Sequence, residues 1–154
     1  MWQPDITVAA VCERDGRFLL VEERSKSSHQ LVLNQPAGHL EDKEAIIQAV
    51  MRETLEETCR HFTPEALLGF YRLRVSTGKT YLRYTFCGSI SDIDPSQTRD
   101  PDILETHWLS YKQIQNSQIL RSNLVLKCVD DYLTGSRYPL DILHEIDFNA
   151  RTNT

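Results

Sequence analysis

Closely spaced cysteines are missing from this sequence. The chain has 154 residues and four cysteines, which lie far apart with no C-x-x-C pair: Cys12, Cys59, Cys87 and Cys128. Structural zinc sites and disulfide frameworks are built from cysteines at characteristic short spacings or in conserved pairs. The spacing therefore argues against both kinds of site, and we expect four reduced thiols.

Secretory and membrane-spanning segments are also lacking. The first five residues are MWQPD, without the basic and apolar regions of a signal peptide. No apolar run reaches the roughly 20 residues that a transmembrane helix needs. We therefore expect a cytoplasmic protein that makes no use of a membrane.

The sequence has no basic block. Its formal net charge is −5, from 17 Lys and Arg against 22 Asp and Glu. Binding to polymeric nucleic acid through counterion release needs clustered basic residues, so that class of partner is disfavoured. A small anionic substrate stays compatible, because a bound metal ion would reverse the local charge. The length and the 40% hydrophobic content predict one domain spanning residues 1–154.

Hydrophobic patterns predict a mixed α/β chain. Strands are predicted at residues 6–12, 18–21, 67–75, 80–87 and 107–109, with a short one from residue 31 that Pro36 and Gly38 end. Asp15-Gly16 suits a hairpin turn, so the first two strands are expected to form an antiparallel pair. Helices are predicted from an N-cap at Asp42 to about Cys59 and over residues 124–133, and residues 91–102 are predicted as an exposed loop. This order indicates an α/β sandwich.

Three acidic residues extend the inward-facing stripe of the first predicted helix. Glu53, Glu56 and Glu57 follow apolar residues on the same side, namely Ile46, Ala49 and Val50. At 100° per residue all six side chains fall within roughly a third of the circumference. Like charges crowded on that face repel one another unless a cation holds them, and carboxylates are ligands that Mg2+ prefers. The pattern predicts a divalent-metal site.

The residues around this cluster resemble a known motif. The segments GHLEDKE (38–44) and RETLEE (52–57), seven residues apart, are similar to the Nudix box, G-x5-E-x7-R-E-U-x-E-E-x-G-U. The resemblance implies an α/β/α sandwich with a mixed β-sheet and hydrolysis of a nucleoside diphosphate linked to another group. Three positions depart from the box: Thr54, Cys59 and Arg60. A side chain in place of the terminal glycine costs about 1 kcal/mol if the left-handed conformation is kept, so the exit of the helix is left open.

The resemblance also implies roles for individual residues. Glu53, Glu56 and Glu57, with the carbonyl of Ala37, would hold Mg2+ or Mn2+; Arg52 would orient a glutamate; and Gly38 would let the backbone approach the metal or the phosphate. A box glutamate, Asp102 or Glu105 would act as the general base. Asp102 and Glu105 are alternatively remote metal ligands or ordinary exposed loop acids. Arg83 is assigned either to the substrate phosphate or to a wet strand surface, and His39 either to the substrate or to a structural hydrogen bond. Tyr71, Tyr81 and Tyr84 would stack on a base or lie in the core.

Substrate choice is predicted from segments outside the box. Residues 34–41, 120–122 and 137–140 resemble a phosphatase of the same family. That likeness implies substrates such as nucleoside tri- and diphosphates, hydroxymethylpyrimidine pyrophosphate or thiamine pyrophosphate, with release of phosphate. The rival hypotheses are a pyrophosphatase of ADP-ribose or nucleotide sugars and a non-catalytic nucleotide-binding module. The complete set of box glutamates disfavours the latter, and the oligomeric state is left open.

Overall fold

Two four-stranded sheets and three α-helices form the part of the chain that the computed structural model describes, residues 1–146; residues 147–154 of the predicted domain lie outside it. The strands are β1 (Asp5–Val11), β2 (Glu13–Arg14), β3 (Arg17–Arg24), β4 (Leu31–Asn34), β5 (Ala37–His39), β6 (Arg60–Arg74), β7 (Thr80–Ile93) and β8 (Ile103–Ser110). The helices are α1 (Ile46–Thr58), α2 (Tyr111–Asn116) and α3 (Asn123–Leu133), followed by a 3-10 turn at Leu140–Ile142. No helix in this range is long and apolar enough to cross a membrane.

The first sheet lies between two helical layers. Its order is β5-β1-β7-β6, and it is mixed because β1 runs parallel to β7 and antiparallel to β5. One core joins this sheet to α1, including Ala49, Val50 and Phe86, while another joins it to α2, α3 and the second sheet. The second sheet has the order β2-β3-β4, with β8 paired to β3. The predicted α/β/α sandwich with a mixed sheet is confirmed.

The opening hairpin forms, but with a different strand. Asp15 and Gly16 have positive φ angles of 52° and 77°, as the predicted tight turn requires. The turn joins β3 to the two-residue β2, however, and β1 pairs with β5 and β7 instead. The expected pairing of residues 6–12 with 18–21 was therefore wrong except at its end, where the Leu19 N–H donates to the Cys12 carbonyl at 3.0 Å. Residues 8–11 are buried on both faces of the sheet, and a central strand of that kind needs a neighbour on each side.

Helix α1 begins later than predicted. Its N-cap is Ala45, not Asp42, because Lys43 takes a left-handed conformation (φ 66°) that a helix cannot contain. Alanine offers no side-chain acceptor, and the Ile46 N–H instead donates to Glu145 Oε1 at 3.1 Å. Gly38, expected to end a strand, lies inside β5.

Two of the three departures from the box, Cys59 and Thr54, are accommodated locally. Cys59 keeps the left-handed conformation usual for the glycine it replaces (φ 57°, ψ 27°), and its N–H donates to the Leu55 carbonyl. The fully buried Thr54 hydroxyl donates to the Val50 carbonyl at 2.7 Å, so burying this polar side chain leaves no unmet donor. The exit of the helix therefore follows the path that a glycine would allow.

Other boundaries differ from the predicted ones. β6 starts at residue 60 instead of 67, and β7 runs to residue 93, so the loop predicted at 91–102 starts later. Helix α2 was not predicted, although Ser110 and Gln113 form the capping box that marks its start. Helix α3 matches its prediction within one residue. All four cysteines are free thiols, as expected, and all four are buried.

Candidate active site

Helix α1 meets strand β5 at Gly38. The carboxyl group of Glu53 lies where a Cβ atom on residue 38 would stand, so any larger residue would displace it. The glycine thus permits a close approach of the backbone to a box glutamate. This contact sets the distance between the helix that carries the acidic residues and the edge strand of the first sheet.

Arg52 is the centre of an ionic network. Its Nε and Nη2 bond both carboxylate oxygens of Glu44 (2.9 and 2.8 Å), in the bidentate geometry that arginine favours. Its Nη1 donates to Glu53 (2.9 Å) and Glu56 (3.2 Å), and Nη2 also donates to the His39 carbonyl (3.0 Å). One side chain therefore ties the loop before α1 to two box glutamates. The Arg52 hydrogen bond lowers the pKa of Glu44.

Ala37 turns its polar backbone groups towards the box helix. The Ala10 N–H donates to the Pro36 carbonyl at 3.0 Å, and hydrogen-bonded and non-hydrogen-bonded pairs alternate along an antiparallel ladder. The neighbouring Ala9–Ala37 pair is therefore a non-hydrogen-bonded one. The N–H and C=O of Ala37 consequently face away from β1. The N–H donates to Glu57 Oε1 at 2.8 Å, and the carbonyl points to the same side of the edge strand.

Glu57 is a buried acid among other acids. Burial raises the pKa of its carboxyl group to about 9, against the opposing effect of the Ala37 hydrogen bond. The negative charges of Glu23, Glu53 and Asp100 raise this pKa further. Burial likewise raises the pKa of Glu53, although Arg52 opposes it. Such a set of carboxylates fits a divalent cation, which would reverse the local electrostatics.

The box glutamates do not all converge on one point. Within residues 1–146, no group of three or more His, Cys, Asp or Glu side chains is arranged to hold a metal ion. Arg52 engages Glu53 and Glu56, whereas Glu57 bonds the backbone. Glu56 is half-exposed, and its carboxylate is held by Arg52 alone at 3.2 Å among the described side-chain contacts.

The predicted wet face of β7 is buried. The expectation of an exposed Arg83 was wrong: its side chain is 5% exposed, because α3 packs over this face of the sheet. Its Nη2 donates to Gln35 Oε1 at 2.6 Å and its Nε to Thr85 Oγ1 at 3.2 Å. Gln35 is oriented in turn by a hydrogen bond to the Val125 carbonyl. The structure therefore joins Arg83 to the loop before β5 and not to the glutamates themselves.

The three candidate tyrosines have different surroundings. Tyr71 donates to Asp131 at 2.7 Å beside α3, and Tyr84 stacks on Phe70 on the α1 side of the sheet, 4.4 Å between centroids. Tyr81 lies on the same face as Arg83, two residues along β7. Of the three tyrosines, Tyr81 alone both lies on the Arg83 face and makes no side-chain hydrogen bond to α3 within the described part of the chain.

His39 and the two loop acids lie at the surface. The His39 imidazole is within 3.4 Å of Asp5, the structural contact that the sequence left open. Glu105 is exposed and pairs with Arg99 at 3.2 Å, and Asp102 is exposed as well. The loop acid that acts on Glu57 is Asp100, whose N–H donates to the carbonyl of Glu56.

Sequence reasoning missed Glu23 and Asp100 near the cluster, and it gave no individual role to Gln35 and Arg121, which lie in the segments 34–41 and 120–122. Arg121 pairs with Glu23 at 2.9 Å, which places a basic side chain beside the acids. None of these residues belongs to the Nudix box, because each reaches the site through a tertiary contact. For Gln35 a weak signal existed: a large polar residue stands between a strand and a proline.

Comparison with known proteins decides the family. The NUDIX domain model matches residues 1–126. The chain belongs to the Nudix hydrolase family. Phosphatase NudJ of Escherichia coli K12 is 36% identical over 149 residues, which cover 97% of this chain and 95% of that protein. A solved NUDIX hydrolase from Nitrosomonas europaea is 48% identical, with a TM-score of 0.90 over 95% of this chain and 99% of that one.

More distant Nudix structures share the fold. A MutT NUDIX hydrolase from Burkholderia pseudomallei is 21% identical, with a TM-score of 0.71 over 84% of this chain and 98% of its own. Nudix hydrolases act on small molecules and generally use divalent metal ions. A general pyrophosphohydrolase activity follows for this chain.

Proposed function

We propose that this Nudix hydrolase is a metal-dependent phosphatase of small phosphoanhydrides. Its substrates would be nucleoside tri- and diphosphates, hydroxymethylpyrimidine pyrophosphate or thiamine pyrophosphate, and one product would be inorganic phosphate. The similarity to phosphatase NudJ over 97% of the chain supports this class. We further propose one Nudix domain over residues 1–154, and the cytoplasmic location stays a prediction.

One observation carries the metal-dependent part. Glu57 is buried beside other carboxylates, and burial and their charges raise its pKa to about 9. A site of this kind is unfavourable for an anion unless a cation balances it. We assign Glu53, Glu56 and Glu57, with the carbonyl of Ala37, as ligands of Mg2+, with Mn2+ as the alternative ion.

The remaining residues position the ligands and the substrate. Arg52 holds Glu53 and Glu56, and Gly38 leaves room for the Glu53 carboxylate. A bound divalent ion lowers the pKa of a water molecule and offsets the charge that develops on the phosphoryl oxygens. A box glutamate accepts the proton of the attacking water. His39, at the exposed end of β5, and Arg83 are assigned to the substrate.

A substrate panel tests the assignment. Hydrolysis with Mg2+ should favour thiamine pyrophosphate and simple nucleotides over ADP-ribose and nucleotide sugars, with phosphate as the released product. When glutamates of the cluster are replaced by glutamine, Glu65→Gln serves as the matched control, because it removes one negative charge from an exposed residue of β6 away from the cluster. Strong preference for ADP-ribose, or pyrophosphate as the product, would move the enzyme to the pyrophosphatase class.

A further inference from the structure

Arg83 is a buried cation without an acidic partner. Its side chain is 5% exposed, and in residues 1–146 its hydrogen bonds go to two neutral groups, Gln35 and Thr85. Burying a charge without a counter-charge is costly, and replacing it with an apolar side chain often stabilises a protein. A residue kept in this state is therefore a candidate for binding something other than the protein itself.

One end of the guanidinium group makes no hydrogen bond to the described residues. Nε and Nη2 are engaged, and no partner of Nη1 lies within hydrogen-bond distance in the described chain. This N–H group is therefore the donor that Arg83 has left for a ligand.

Arg83 lies on the same face of the first sheet as residues of β1 and of β5, the strand that contains the start of the Nudix box. Thr7 of β1 stands opposite Arg83 on one side and opposite His39 on the other, so the three side chains share a face of the sheet. Two strand spacings separate the backbones of Arg83 and His39, or roughly 10 Å. Tyr81 lies on the same face, with its ring centroid 6.5 Å from that of His39.

A short connection leads from Arg83 to the acidic cluster. Its partner Gln35 is two residues before Ala37, whose N–H holds Glu57. A diphosphate bound at the cluster and extending across the row of His39, Thr7 and Arg83 would bring the substituent on its far end towards the arginine.

We propose that Arg83, held in place by Gln35, is a specificity-determining residue that donates a hydrogen bond to a ring nitrogen or carbonyl of the substrate's heterocycle. This inference rests on the proposed function, because it takes the glutamate cluster as the phosphate end of the site. Gln35 is a positioning residue. Its Nε2 bonds the Val125 carbonyl at 2.8 Å, which directs Oε1 at the arginine.

The test compares ligands with and without a ring. Binding of cytidine diphosphate, thiamine pyrophosphate and inorganic pyrophosphate is measured by calorimetry, with Ca2+ in place of Mg2+ and with the ligands checked to be intact afterwards. Arg83→Met should weaken binding of the two ring-bearing ligands on the order of tenfold to a hundredfold, the loss expected for a hydrogen bond from a charged group. Inorganic pyrophosphate should bind as it does to the wild type.

Control variants keep the test decisive. Arg14→Met removes an arginine that lies over Trp108 and pairs with Asp92, and it should leave all three affinities unchanged. Should Arg83→Met not fold, Gln35→Met keeps the arginine but frees its orientation, and it should weaken only the ring-bearing ligands. Arg83→Lys should fail to restore them, because a single ammonium group does not reproduce the guanidinium fork.

Two results would overturn the inference. An equal loss for all three ligands would show that Arg83 binds phosphate, and no loss for any of them would show that it only supports the fold. Failure of the proposed function is a separate result: the wild-type enzyme would then release no phosphate from nucleotides, whatever the Arg83 variants bind.

Discussion

Glu57 combines the two properties that a buried metal ligand needs. Its carboxylate is fixed by the Ala37 N–H, and it lies where other negative charges make an unbalanced anion unfavourable. Glu56 differs from it, because that side chain is half-exposed and is bonded to Arg52. In the proposed site, Glu57 is therefore buried and held by a backbone N–H, whereas Glu56 is half-exposed and held by a side chain.

Neutral isosteres of these glutamates test the proposed ligands. Glu57→Gln and Glu56→Gln should each lower kcat on the order of a hundredfold or more, because each change removes a charged ligand while it preserves shape. Steady-state kinetics with Mg2+ measures this loss, with Glu65→Gln as the control. Near-normal turnover of both variants would rule out these carboxylates as the metal site.

The pH dependence of stability reports on Glu57 directly. The folded pKa is about 9 and the ordinary value is 4.5, so the folded state retains a proton that the unfolded chain loses between these values. The metal-free protein should therefore lose stability as the pH rises from about 4.5 to about 9. Melting temperatures in chelator across this range should fall more steeply for the wild type than for Glu57→Gln. Parallel curves would contradict the assignment.

At the scale of elements, the end of α1 shows what a motif predicts well. The helical spacing predicted a helix with its acids on the inward side, and in α1 this holds for Glu53 and Glu57 but not for the half-exposed Glu56. Its start was predicted wrongly at Asp42, because the left-handed Lys43 and the ionic bonds of Glu44 occupy the residues between. The N-cap propensity of Asp42 could not outweigh these interactions.

The left-handed cap at the end of α1 gives a prediction of its own. Cys59→Gly and Cys59→Ala both remove the thiol, but only glycine relieves the strain of a side chain at φ 57°. Glycine should therefore be more stable than alanine by about 1 kcal/mol, measured by chemical unfolding. An alanine variant as stable as the glycine one would show that the backbone is unstrained at this residue.

Arg83 shows what strand patterns leave open. Alternation along β7 indicated two different faces, but it could not show that α3 would cover the one that carries the arginine. Glu23 and Asp100 illustrate the same gap, since each approaches Glu57 from a distant part of the chain. Local motifs located the glutamates, whereas the neighbours that shape their charge depend on how the two sheets and the helices pack.

For the whole molecule, the activity should depend on a divalent cation. Chelation should abolish hydrolysis and added Mg2+ or Mn2+ should restore it, since the glutamates need an ion to act on a phosphate. Added Zn2+ should not be required, because the four cysteines stand far apart along the sequence with no C-x-x-C pair. Full activity in excess chelator would contradict the mechanism.

The position of water attack tests the central proposal most directly. A nucleoside triphosphate is hydrolysed with Mg2+ in 18O-labelled water, and the products are analysed by mass spectrometry. A phosphatase attacks the terminal phosphorus, so the label should appear in inorganic phosphate and not in the nucleoside diphosphate. Release of pyrophosphate, with the label in it or in the nucleoside monophosphate, would contradict the phosphatase assignment.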